Sequence, residues 1–142
     1  MQGKLIVSVF LDSNILLYGF STAPDHQGKR QRAEQLLAGR DWCLSAQVLQ
    51  EFYVNAIKPR HGLNHAVAAA VVEEIALSRP VSPVDTALVF RAIEIQARFQ
   101  LSYWDSAIVA AAIRMGCTVL FTEDLSHGQS FGSLQTINPF VG

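Results

Sequence analysis

Apolar positions along the chain fall into two kinds of run. Leu5 to Leu11 is almost unbroken and rich in Val, Ile and Phe, and Cys117 to Thr122 repeats the pattern late in the chain. Short runs of this kind predict strands buried on both faces, as in a parallel sheet. Trp42 to Leu44 predicts a shorter strand, Val81 and Val84 flank Pro83 in an extended piece, and Thr136 and Ile137 predict a last strand. Between these runs, apolar residues recur at helical spacing. A short helix is predicted over Asn14 to Phe20 and another over Lys29 to Ala38, where Ala33, Leu36 and Leu37 share a face and Gly39 can end it. The intervening Ser21 to Gly28 is polar, holds Pro24 and reads as a loop. Ser45 can cap a helix that runs to about Lys58 and stops at Pro59. Further helices are predicted from Asn64 to Ser78, from an Asp85 cap to about Phe99, and from a Ser102 cap to a stop at Gly116. Strands alternating with helices predict an α/β domain around a mostly parallel sheet.

Composition narrows the picture. The chain has 142 residues, 50% hydrophobic and 16% charged, so a single domain with a full core is expected over residues 1–142. A disordered chain would need fewer apolar residues and more charge. The formal net charge of −1 argues against a protein whose whole surface clamps DNA, while leaving room for a local basic patch. Cys43 and Cys117 lie in apolar runs and read as buried, reduced thiols. His61 and His65 are the only near pair of histidines, too little for a zinc site. Asp12 interrupts the N-terminal apolar run, which therefore does not read as a secretory signal. No stretch approaches the ~18 apolar residues of a membrane span. The expectation is a soluble, cytoplasmic protein with no membrane association.

The acidic residues change the picture most. In a parallel sheet, sites form beyond the carboxyl ends of the strands. Asp12 directly follows the first strand, and Asp124 follows the strand ending at Thr122. Asp105 opens the helix that leads into that strand, so it starts near the same edge. Glu51 lies about two turns, roughly 9 Å, into the helix capped by Ser45. Two carboxylates ~5 Å apart repel by about 3 kcal/mol at an effective dielectric of about 20. Four at one edge would stay partly protonated unless a cation joined them. Oxygen-only ligands select a hard cation, Mg²⁺ or Mn²⁺. Such a site activates water and holds a phosphate for in-line displacement.

Each acid also has an ordinary structural role open to it. Asp12 can cap the helix that follows, Glu51 can sit on a solvated helix face, Asp105 can complete a capping box with Ser102, and Asp124 can be a turn residue. Glu123 competes with Asp124, although strand alternation puts Thr122 and Asp124 on one side and Glu123 on the other. Taken singly these roles are good explanations. Jointly, four acids at one edge make them poor ones.

Four stretches in order carry a resemblance: Phe10-Leu11-Asp12-Ser13-Asn14, Leu44-Ser45 leading to Leu49-Gln50-Glu51-Phe52, Ser102 to Ile108 with Asp105 inside it, and Leu120-Phe121-Thr122-Glu123-Asp124. The chain resembles the PIN-domain ribonucleases and, within them, the VapC-type toxins of bacterial toxin–antitoxin pairs. The resemblance covers Leu5 to about Phe140. It implies a three-layer α/β/α fold and a metal-dependent endoribonuclease in which Asp12, Glu51, Asp105 and Asp124 form the acidic site. Asn14 would orient the first loop, and Ser13 or Thr122 would hold a carboxylate or a metal-bound water. It also implies a homodimer held inactive by a cognate antitoxin.

RNA needs a basic rim beside such acids. Lys29, Arg30 and Arg32 on one helix form the first basic cluster, and Lys58, Arg60 and His61 a second. Tyr53, Tyr103 and Trp104 could stack on bases, although core packing is the commoner fate of such residues. Three rivals remain. An aspartate-dependent phosphatase wants a second Asp where Asn14 stands. A receiver-type switch needs a late lysine, and the last lysine here is Lys58. An inactive PIN-like module binding RNA or protein would have no use for four mutually repelling acids.

Overall fold

A computed structural model describes residues 7–141. Six strands form one sheet in the order β3-β2-β1-β4-β6-β5. They are β1 (Val9–Leu11), β2 (Trp42–Ser45), β3 (Val81–Ser82), β4 (Val119–Phe121), β5 (Ser130–Phe131) and β6 (Leu134–Ile137). All neighbours pair in parallel except β5 and β6, which form an antiparallel hairpin. Six helices flank the sheet: α1 (Ser13–Gly19), α2 (Gln27–Leu37), α3 (Ala46–Ala56), α4 (His65–Ser78), α5 (Thr86–Phe99) and α6 (Tyr103–Arg114). The architecture is the α/β fold around a mostly parallel sheet expected from the alternation of runs, and it is PIN-like as the resemblance implies.

The central strands bury completely, which explains their unbroken apolar character. Phe10, Leu11, Cys43, Leu44 and Leu120 have no exposed surface. Cys43 and Cys117 are free buried thiols whose sulfurs lie 3.4 Å apart. Helix α6 owes its position to small residues. Ser106, Ala107, Ala110, Ala111 and Ala112 are all buried, so its backbone lies close to its neighbours while α5 packs along it. Gly19 serves the same purpose at the end of α1. A Cβ there would stand 2.5 Å from Leu37 Cδ1, so any larger residue would make the Leu37 side chain shift where α1 and α2 meet.

Several expected boundaries shift. The first strand is limited to Val9–Leu11, and the Leu5 and Ile6 part of the expected run lies outside the described residues. The segment read as a loop contains a 3-10 turn at Pro24–His26, which leads straight into α2. Helix α3 ends at Ala56 rather than Lys58, because a turn with Gly62 in the left-handed region begins there. Strand β5 was not expected. It is two residues long and pairs only with β6 across Gly132 and Ser133, too short to carry a periodicity. The expected side-chain caps at Ser45, Asp85 and Ser102 form, and Asn64, not expected as a cap, joins them: each accepts a hydrogen bond from the backbone N–H three residues on.

Candidate active site at the carboxyl edge of the sheet

Register places the first two acids. Leu11 pairs with Phe121, and the Asp12 N–H donates to the Phe121 carbonyl at 3.1 Å, so Asp12 and Thr122 emerge side by side past the strand ends. Asp12 is 4% exposed and caps α1 by accepting the Ser13 N–H at 2.7 Å. Its other oxygen accepts the Thr122 hydroxyl at 2.8 Å. The same Thr122 oxygen accepts the Asp124 N–H at 3.0 Å. One buried threonine thus fixes a carboxylate and shapes the turn that presents the next. Asn14 holds that next carboxylate, donating from Nδ2 to Asp124 at 3.1 Å.

Glu51 reaches the edge from α3. It accepts from the Ser13 hydroxyl at 3.2 Å and from Gln47 Nε2 at 3.2 Å. Gln47 also donates to the Trp104 carbonyl at 3.1 Å, tying α3 to the first turn of α6 beside Asp105. Sequence reasoning missed Gln47. Its spacing of four from Glu51 was the available signal, because residues i and i+4 share a helix face. Asp105 donates its N–H to the Ser102 hydroxyl at 3.1 Å, but the reciprocal bond of a capping box does not form among the described residues. Its carboxylate is therefore not consumed in capping.

Glu123 points elsewhere. It accepts the Tyr18 hydroxyl at 2.6 Å and the Lys29 ammonium at 3.0 Å. Lys29 also lies 4.6 Å from the centre of the Tyr18 ring. Lys29 is thus engaged within the fold. Arg30 turns inward to the Ser21 carbonyl at 3.4 Å, and Arg32 bonds to Gln35 on the same helix. The first basic cluster does not present a free rim. Tyr53 bonds to His65, Tyr103 packs partly buried against the core, and Trp104 is 65% exposed.

The acids act on one another electrically. Burial pushes the Asp12 carboxyl up to about 7, even though the Thr122 and Ser13 hydrogen bonds favour the charged form. Asp124 and Glu51 add to the upward push. Asp124 is likewise raised, first by desolvation, and then by Asp105 and Glu123 against the lowering effect of Asn14. No three His, Cys, Asp or Glu side chains among the described residues close around a common point.

The donor chemistry fits a hard divalent cation. The four acids offer only oxygen, and the Asn14 Oδ1 atom is buried without a hydrogen-bond partner among the described residues. A cation would also displace the proton that burial favours on Asp12.

Comparison with known proteins agrees with this geometry. The PIN domain profile matches residues 9–128. No curated protein sequence matches the chain. Solved structures do. The Mycobacterium tuberculosis VapC20 toxin, described as cleaving the Sarcin-Ricin loop, superposes with a TM-score of 0.66 at 21% identity, over 82% of this chain and 92% of that one. A Klebsiella pneumoniae toxin–antitoxin complex gives 0.67 at 18% identity, over 93% and 98%. VapBC from Salmonella typhimurium bound to DNA gives 0.65 at 22%, over 92% and 97%. At these identities the structural likeness speaks for the fold. The sequence profile spans all four acids, and the chain belongs to the PIN-domain family.

Proposed function

We propose that the protein is a Mg²⁺- or Mn²⁺-dependent endoribonuclease that acts as the toxin of a toxin–antitoxin pair. The observation that carries this reading is Asp12: a buried carboxylate, hydrogen-bonded on both oxygens, whose charge the fold itself opposes. Stability alone would have replaced such a group, so a charge-neutralising ligand is its simplest explanation. Asp12, Glu51, Asp105 and Asp124 would hold the cation. When bound, the cation supplies an activated water and neutralises the scissile phosphate.

The rest is done by the chain. Thr122 holds Asp12 in a fixed rotamer and prevents it from turning into the core. Ser13 and Gln47 hold Glu51 from two sides, so that α3 keeps a set distance from the acidic edge. Asn14 turns Asp124 towards Asp12, and Lys29 with Tyr18 keeps Glu123 out of the set. A cognate antitoxin belongs to the proposal too, supported by the toxin–antitoxin complexes in which structural neighbours were solved, and a homodimer belongs to it on the family resemblance alone.

The test is cleavage of a mixed structured RNA in Mn²⁺, in excess chelator, and by Asp105→Asn. Cleavage that needs both metal and Asp105 supports the reading. An Asp105→Asn protein that cleaves at the wild-type rate sinks the site assignment. Cleavage unaffected by chelator sinks the metal.

A further inference from the structure

Beside the acids lies a cleft of about 480 Å³. One wall is formed by Ser13, Asn14 and Asp124, with Glu123, paired to Lys29, also in the lining. A second wall carries Arg60, His61 and His26, from the second basic cluster and the 3-10 turn, with Asp25 beside His26 in that turn. Nothing in the acidic chemistry uses this second wall. We infer that the cleft seats one ribonucleotide of the substrate strand next to the cut phosphate, with Arg60 on a backbone phosphate and the His61 imidazole on the sugar 2′-hydroxyl. The inference rests on the ribonuclease reading and names its substrate contacts.

Four observations carry it. The first is size: the cleft falls in the range of small-ligand sites, roughly 300–1,000 Å³. The second is a ring-lined wall. Tyr18 meets His26 edge-on with centroids 5.1 Å apart, and His26 lies 6.0 Å from His61. Ser21 fixes the His26 ring through a 2.8 Å hydrogen bond to Nδ1. Aromatic and imidazole faces of this kind are what unstacked RNA bases use.

The third is an unspent polar group. His61 Nδ1 is buried with no hydrogen-bond partner among the described residues. An unpaired buried nitrogen is costly unless something else meets the ring. Burial first, then Arg60, His26 and Lys58, lower its proton affinity, which favours a neutral ring whose other nitrogen, Nε2, donates or accepts according to the tautomer. A 2′-hydroxyl is itself donor and acceptor. The fourth is rigidity. The turn bearing Arg60 and His61 is closed by backbone bonds from His61 and Gly62 to the Lys58 carbonyl and from Leu63 to that of Ala56. Gly62 has φ +70°, a conformation that suits glycine. Arg60 is exposed and lines the cleft. It offers a strand phosphate a countercharge there, while Asp25, Glu123 and Asp124 make the rest of the lining acidic.

The test uses the full chain carrying Asp105→Asn, so that RNA is not consumed, in Mg²⁺ buffer. Fluorescence anisotropy follows binding of a labelled short single-stranded RNA and its DNA equivalent. Adding Arg60→Ala should weaken RNA binding about tenfold and reduce the salt slope by about 0.7, one phosphate contact. Adding His61→Phe keeps a ring but removes its nitrogens, and should narrow the RNA-over-DNA preference about fivefold. Arg98→Ala, outside the cleft, should change neither. Melting temperatures of all forms should agree, which separates lost contacts from lost folding. Unchanged binding in both cleft variants overturns the inference, as does an equal loss in Arg98→Ala. A wild type that cleaves while both cleft variants bind normally leaves the nuclease reading standing without this subsite. A wild type that never cleaves, with Arg60 still needed for binding, has the opposite meaning. RNA bound by no form overturns both.

Discussion

Two aspartates in this chain do the same local job in opposite electrostatic settings. Asp12 caps α1 and Asp85 caps α5, each accepting a backbone N–H with its side chain. Asp85 is half exposed and also accepts Arg114 Nη1 at 2.8 Å, and its carboxyl is held below the usual range by the Leu88 N–H and then by Arg114. Asp12 is buried, its carboxylate neighbours push it further, and its carboxyl rises to about 7. A cap needs one oxygen and no net charge. Asp85 has its charge balanced by an arginine, and Asp12 has a charge balanced by no cation among the described residues. That difference separates a structural acid from one kept for a ligand.

The largest way to break this comparison is Asp12→Asn. Asparagine caps helices as well as aspartate does, so α1 survives. Cleavage should fall by at least about a hundredfold, since even indirect supports of metal ligands cost about 10–100-fold. Stability should move the other way, and with pH. The folded protein holds the Asp12 proton more tightly than an ordinary carboxyl at 3.8. The associated stability is full below about pH 4 and is lost as pH rises through about 7. Asp12→Asn should therefore leave the metal-free melting temperature nearly unchanged near pH 4 and raise it by several degrees near pH 8, roughly what 1–2 kcal/mol gives a domain of this size. Calorimetry at the two pH values checks it, and a mutant that melts lower at both denies that burial disfavours the charge.

Thr122→Val comes next. It removes the hydroxyl donor to Asp12 and the acceptor of the Asp124 N–H in a fully buried position. Activity should drop about 10–100-fold. Because the Thr122 bond favours charged Asp12, the acid limb of the pH–rate profile should also move to higher pH. A rate loss with no movement of that limb would make Thr122 a packing residue only.

How far the chain could be read in advance follows from the same physics. Buried strands and side-chain caps are local signals, and β1, β4 and the caps at Ser45, Asp85 and Ser102 were legible from them. Alternation past β4 predicts different directions for Glu123 and Asp124, and the two meet different partners, Tyr18 and Lys29 for the first and Asn14 for the second. What escaped is non-local. Lys29 looked like a free cation on a helix face until Glu123, far along the chain, met it. Gln47 looked like an ordinary helix residue until α6 arrived beside it. The second basic group, at Arg60 and His61, was visible as charge, but its cleft exists only once the 3-10 turn brings His26 opposite.

The smallest expected effect sharpens the comparison most. Asp85→Asn keeps the cap and loses only the charge paired with Arg114, which retains the Ser82 hydroxyl at 2.7 Å and the Pro83 carbonyl. Its activity should equal wild type. The Asp85 carboxyl is depressed, so its contribution is present above the ordinary value near 3.8 and disappears as pH falls below it. Asp85→Asn should thus lower the melting temperature slightly near neutral pH, less in high salt because the pair is exposed, and not at all in acid. The identical substitution at two helix caps then has opposite signs at pH 8, and in acid the Asp12 effect is gone by about pH 4 while the Asp85 effect disappears only below it. If Asp85→Asn instead stabilised the metal-free protein as Asp12→Asn does, general relief of negative charge would explain both, and the special standing of Asp12 would be lost.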